Sequence, residues 1–309
     1  GNGFASVIQG QGAKIQNCHI TNAVIRGDGF AKTIRYDNAE VKNCSIVNAV
    51  ISGNGFASEI DAATVDSCSV YADPETFSTV ESDKYYSRNY KPARNGNYGK
   101  LVIGIDNSGS RSNQDIAGFV QSVGNGKTKV LNCSVAGMVY GQNVSGFASK
   151  IGHDAQVQNC YANVMIDAGA SAAGFTFTVE SNKETKVINC HALGTISALN
   201  NAVGGFDFID DNAQVIKCYE AFWNIKAEKW YPFYRNVGSQ VDLRDDYYLR
   251  DYTAEVSDSE LLDYSDKAEG LSYQQLCDLH IDDLRDKAET TVGYYQYMNK
   301  DDDHQTYPY

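Results

Sequence analysis

Short runs of alternating apolar and polar residues fill the first two thirds of the chain, each broken by Gly, Asn or Asp. Alternation with period 2 over so few residues predicts short β-strands separated by turns, and helical spacing is absent from these runs. In Ala13-Lys14-Ile15-Gln16-Asn17-Cys18-His19-Ile20 the inward positions Ile15 and Cys18 stand three apart, so the alternation slips by one residue. A slip of this kind predicts a corner near Asn17, a residue that tolerates the left-handed backbone conformation and bonds its neighbours through its amide.

The runs repeat. Gly-Phe recurs at Gly3-Phe4, Gly29-Phe30, Gly55-Phe56, Gly118-Phe119, Gly146-Phe147, Gly174-Phe175 and Gly205-Phe206. A cysteine follows each Phe by 12 to 15 residues: Cys18, Cys44, Cys68, Cys133, Cys160, Cys190 and Cys218. Asn precedes five of these, while Ser67 and Lys217 take its place before the other two. Phe-to-Phe spacings of 26, 26, 63, 28, 28 and 31 residues suit one coil of three short strands and three corners. Stacked coils pair each strand with its equivalent about 4.8 Å away. The chain is therefore expected to be all-β, a right-handed parallel β-helix over residues 1–220, its hand following the crossover rule. Phe should stack on Phe and Cys on Cys, and the Gly before each Phe either relieves crowding or supplies a positive φ.

Gly-Phe-Ala, then Asn-Cys, then a valine-rich strand resembles the GLUG-type repeat, as in Gly146-Phe147-Ala148-Ser149 followed by Asn159-Cys160. The resemblance implies a bacterial surface or secreted protein, such as an adhesin or the non-catalytic part of an IgA-specific protease. It bears on architecture more than on activity, because the motif residues face the core.

Two stretches break the repeat. An insertion at about 71–117 is locally basic and rich in tyrosine, and Leu101 to Ile105 either return it to the sheet or form an unmarked strand. After Cys218 the pattern fades into Phe222, Trp223, Trp230, Tyr231, Phe233 and Tyr234, bulky aromatics expected to cap the last coil. Residues 221–309 are thus expected to form a small, mixed, partly helical capping region. Its one helix is expected near 272–286, with Ser272 and Gln275 as a capping box and Tyr273, Leu276, Cys277, His280, Ile281 and Leu284 as its apolar stripe.

A net charge of −13 sets the average surface against nucleic acid and anionic membranes. No run approaches the 18 or so apolar residues of a membrane span, so no membrane insertion is expected in this segment. The chain opens in mid-repeat with Gly1-Asn2-Gly3-Phe4, which suggests a monomeric part of a longer chain.

The chemical signals are weak by comparison. Parallel stacked cysteines meet in poor geometry for disulfides, so reduced buried thiols are expected. Cys18-His19 and Cys190-His191 pair a thiol with an imidazole in sequence, but adjacent strand residues face opposite sides, and the position after Cys reads as a free surface site. Asp207, Asp210 and Asp211 are the candidates for a carbohydrate-cleaving site, with no Lys or Arg nearby to complete one. His153 has no evident partner, and Asp301-Asp302-Asp303 lacks the spacing of a calcium loop. No catalytic residue, no metal site and no cofactor is expected. The favoured reading is a non-catalytic extracellular adhesin or surface-stalk segment that binds a host or environmental glycan or protein. The candidate binding residues are Tyr85, Tyr86, Arg88, Tyr90, Arg94 and Tyr98 of the insertion. The alternative is a polysaccharide-active β-helix enzyme or an accessory module of a secreted protease.

Overall fold

A computed structural model describes residues 1–72, 101–105, 110–124, 127–180, 184–250, 253–256, 268–272 and 275–276. Among them the strands pair in parallel, and the antiparallel bridge of Ile105 with Arg111 stands outside the strands. One coil illustrates the rest. Val120–Val123, Lys129–Leu131, Ser134–Gly141 and Val144–Ser145 pair in register with Ala148–Ile151, Gln156–Gln158, Tyr161–Ala168 and Ala172–Ala173 of the next coil. The fold is a parallel β-solenoid, with a short fourth strand before the Gly-Phe in addition to the three expected.

The motif residues form its internal columns. Phe4, Phe30, Phe56, Phe119, Phe147 and Phe175 stack nearly parallel, with ring centroids 4.8 to 5.0 Å apart. In the next coil Gly205 stands in register with Phe175, and Phe206, one residue on, lies against Phe175 tilted by 48°; Phe233 regains the register position, tilted by 57° to Phe206. The corner before each Cys is left-handed throughout, from Asn17 at φ 55° to Asn189 at 52°, and Ser67 and Lys217 adopt it too. Side-chain amides link successive corners: Asn189 Nδ2 donates to Asn159 Oδ1 at 2.8 Å, and Asn159 Nδ2 to Asn132 Oδ1 at 3.0 Å. The glycine before Phe is there for space. A Cβ on Gly29, Gly55, Gly118 or Gly146 would overlap the carbonyl oxygen of the equivalent glycine one coil on, and none of these glycines has a positive φ.

The chain returns from the insertion in register. Val102–Ile103 lies between Val50–Ile51 and Met138–Val139, and Leu101 and Ile103 are fully buried.

The ladder runs on past residue 220. Tyr234–Val237, Asp242–Arg244, Tyr247–Leu249 and Thr253–Val256 make an eighth set of strands, paired with the coil that starts at Phe206. Asp245 takes the left-handed corner at φ 55°, and Asp246 takes the cysteine position. Trp230 and Phe233 are core residues. Glu269–Leu271 pairs with the far edge of Tyr247–Leu249. The capping box is formed: the Ser272 N–H donates to Gln275 Oε1 at 2.9 Å, and the Gln275 N–H to Ser272 Oγ at 3.3 Å. Leu276 closes against Leu193, Ala221, Leu249 and Leu271 on the outside of the sheet. The rest of the expected helix lies outside the described residues.

Candidate functional site

The strand after each Phe opens the solenoid to solvent. In Val120–Val123, Ala148–Ile151, Thr176–Val179 and Phe206–Ile209 the end residues are buried, while the two between them face outward. Successive coils thus present Gln121-Ser122, Ser149-Lys150, Phe177-Thr178, Asp207-Phe208 and Arg235-Asn236 along one flank, beside Lys32-Thr33 and Ser58-Glu59 of earlier coils. Buried neighbours hold the backbone of each pair, whereas the pair itself changes from coil to coil.

At the far end of this flank Phe208 is 40% exposed. Beside it Arg235 reaches back one coil to Asp207. Its Nη2 donates to Oδ2 at 2.7 Å, and its Nε lies 2.6 Å from Asp207 Oδ1 as an ion-pair contact without a second hydrogen bond. Burial raises the Asp207 carboxyl above its usual range and outweighs the opposing pull of Arg235. The expectation that no cation stands near Asp207 is corrected here: Arg235 is 28 residues away in sequence and one coil away in space. The other two aspartates serve turns. Asp210 Oδ1 accepts the Asp211 N–H, and Asp211 Oδ1 accepts the Gln240 N–H at 2.9 Å. Closer to the middle, Lys150 Nζ pairs with Glu180 at 2.6 Å, and His153 Nε2 lies 3.8 Å from the same carboxylate, so His153 does have a carboxylate neighbour.

After Cys18 the position is exposed, as alternation predicts for His19, but in the later coils it is not the open surface expected. Ser69, Ser134, Tyr161, His191 and Tyr219 are all at most 8% exposed. His191 is stacked between Tyr161 at 5.1 Å and Tyr219 at 4.6 Å. His19 meets Ser45, with Nδ1 2.8 Å from Oγ, and its ring is on the opposite side of the strand from the Cys18 thiol column.

The seven column cysteines are unbridged. Their thiols donate to backbone carbonyls two residues back, as in Cys133 to Leu131 at 3.1 Å and Cys160 to Gln158 at 3.2 Å. Burial pushes the thiols of Cys68, Cys133 and Cys218 well above their ordinary value, which keeps them protonated and unreactive. Cys18 is only half-buried, contrary to its expected burial. A polar alkylating reagent should therefore label Cys18 first in the native protein. Cys44, Cys68, Cys133, Cys160, Cys190 and Cys218 should react only after non-reducing denaturation, and disulfide-linked peptides in a digest would refute the column.

Tyr85, Tyr86, Arg88, Tyr90, Arg94 and Tyr98 lie outside the described residues. Among the described residues no group of three His, Cys, Asp or Glu side chains is placed to hold a metal ion. The fold defines the class, a parallel β-solenoid with a variable flank. No protein-family model, no curated protein and no solved structure matches the chain.

Proposed function

We propose that this chain is a non-catalytic segment of an extracellular bacterial surface protein, and that its flank binds a glycan or protein ligand. One observation carries the reading: residue types repeat where they face the core or a corner, and vary where they face solvent on the strand after Phe. A frame that fixes its backbone while its outward residues vary suits the display of binding residues along an extended surface. Phe208 supplies an apolar face for a sugar ring, and Asp207, Arg235 and Asn236 supply polar partners around it. The Tyr-rich insertion, through Tyr85, Tyr86, Tyr90 and Tyr98, is proposed as a second contact region. The resemblance to GLUG-type repeats supports the surface location.

The polysaccharide-active alternative draws on the half-buried Asp207 carboxyl beside a guanidinium. Its test is a screen of soluble polysaccharides and mucin-type glycoproteins that reads retention and turnover together. Retention without release of reducing ends or unsaturated sugars is the expected result. Sustained turnover would replace the binding reading with the enzymatic one.

A further inference from the structure

Two carboxyl groups occupy core columns that elsewhere hold apolar side chains or thiols. Asp246 stands in register with the cysteine column, and Glu220 shares a column with Val135, Ala162 and Ala192. Glu220 is fully buried and Asp246 is 2% exposed. Their hydrogen bonds cross between the last two coils in opposite directions. The Leu249 N–H donates to Glu220 Oε1 at 3.2 Å, and the Cys218 N–H donates to Asp246 Oδ1 at 2.8 Å. Glu220 Oε2 also accepts the Phe222 N–H at 3.0 Å, whereas Asp246 Oδ2 is buried with no partner.

What these bonds fasten is the strand Tyr247–Leu249. That strand carries Glu269–Leu271 on its other edge, and Leu271 and Leu276 close over Leu193 and Ala221. The two carboxyls therefore sit at the root of the arm that covers the outside of the sheet. We propose that Glu220 and Asp246 form an acid-closed latch, which holds this strand and its arm and loosens as the carboxyls lose their protons.

The surroundings set the direction. Asp246 stands beside Cys218 of the preceding coil, its backbone carbonyl accepts the Glu269 N–H on the other side, and Asp245 and Asp242 of its own turn add negative charge. The nearby cations Lys217 and Arg244 are exposed, and Arg244 is engaged with Asp242 at 2.8 and 3.0 Å. Glu220 faces Gly204, the N–H groups of Phe222 and Leu249, and its register partner Tyr248. Burial pushes Glu220 well above its usual range and Asp246 up to about 8, against the pull of the backbone donors. Once the arm opens, both groups return to ordinary values near 4. The closed state thus binds more protons. The latch is fully held below about pH 4, weakens as pH rises, and has lost the contribution of Asp246 once pH passes about 8. Each proton weakens it by up to about tenfold per pH unit within that window.

Hydrogen exchange on the full chain between pH 5 and pH 8, corrected for the intrinsic pH dependence of amide exchange, tests this. Protection of peptides covering 245–250 and 268–272 should fall at least about tenfold, while a reference peptide from 129–141 holds steady. The pair Glu220→Gln and Asp246→Asn keeps acceptor atoms at both sites and should flatten the profile. A wild-type profile already flat would overturn the latch, and so would an unchanged slope in the double variant. The wild-type profile decides on its own should the double variant not fold.

Discussion

Gly146→Ala is expected to cost at least about 3 kcal/mol, the upper end of what overpacking usually costs. The added methyl would overlap the carbonyl oxygen of Gly174 and stand 3.1 Å from Val164 Cγ2. Neither neighbour has room to move. The Gly174 N–H is bonded to the Val203 carbonyl, so a shift there passes into the following coil. Gly124→Ala is the control, because its Cβ would find only ordinary contacts at 3.7 Å and beyond, and it should stay within about 1 kcal/mol. Denaturant melts of the two variants give the comparison. Equal and small losses would mean that the coils stand further apart than described.

Phe147→Ala should cost about 3–5 kcal/mol. The ring is fully buried and lies between Phe119 at 5.0 Å and Phe175 at 4.9 Å, so truncation removes two stacking contacts and leaves a cavity in the column. The same melts measure it. A loss under about 1 kcal/mol would contradict the column. Against a usual total of about 5–15 kcal/mol, either change is large.

Where the sequence repeats residue types, it was informative. Phe, Cys and Asn recur because their positions recur in space, and the slip from Ile15 to Cys18 marks the left-handed corner at Asn17. Gly before Phe had two readings in the sequence, and only the distance to the next coil separates crowding from a positive φ. The eighth coil is hidden in the sequence for a different reason. Tyr234 follows its register partner Phe206 by 28 residues and Asp246 follows Cys218 by 28, so the spacing persists, but Pro232 replaces Gly and Asp245-Asp246 replaces Asn-Cys. Spacing alone would have found it.

The flank was harder to read. Alternation tells which side of the sheet a residue faces and nothing about its neighbour one coil away, which is why Arg235 beside Asp207 was missed. For the same reason it did not show that the outer positions of His191 and Tyr219 are closed off from solvent.

Core and corner residues make the frame, and the flank is where binding is proposed. The most direct test of that binding is retention of the best-retained polysaccharide or glycoprotein of the screen by wild type and by the triple variant Asp207→Ser, Phe208→Thr, Arg235→Ser. Removing Asp207 and Arg235 together leaves neither charge unpaired, and Phe208 is exposed, so the melting temperature should change little. Retention should fall at least about tenfold, the equivalent of about 1.4 kcal/mol. Undiminished retention by a variant that melts like the wild type would contradict binding at this flank.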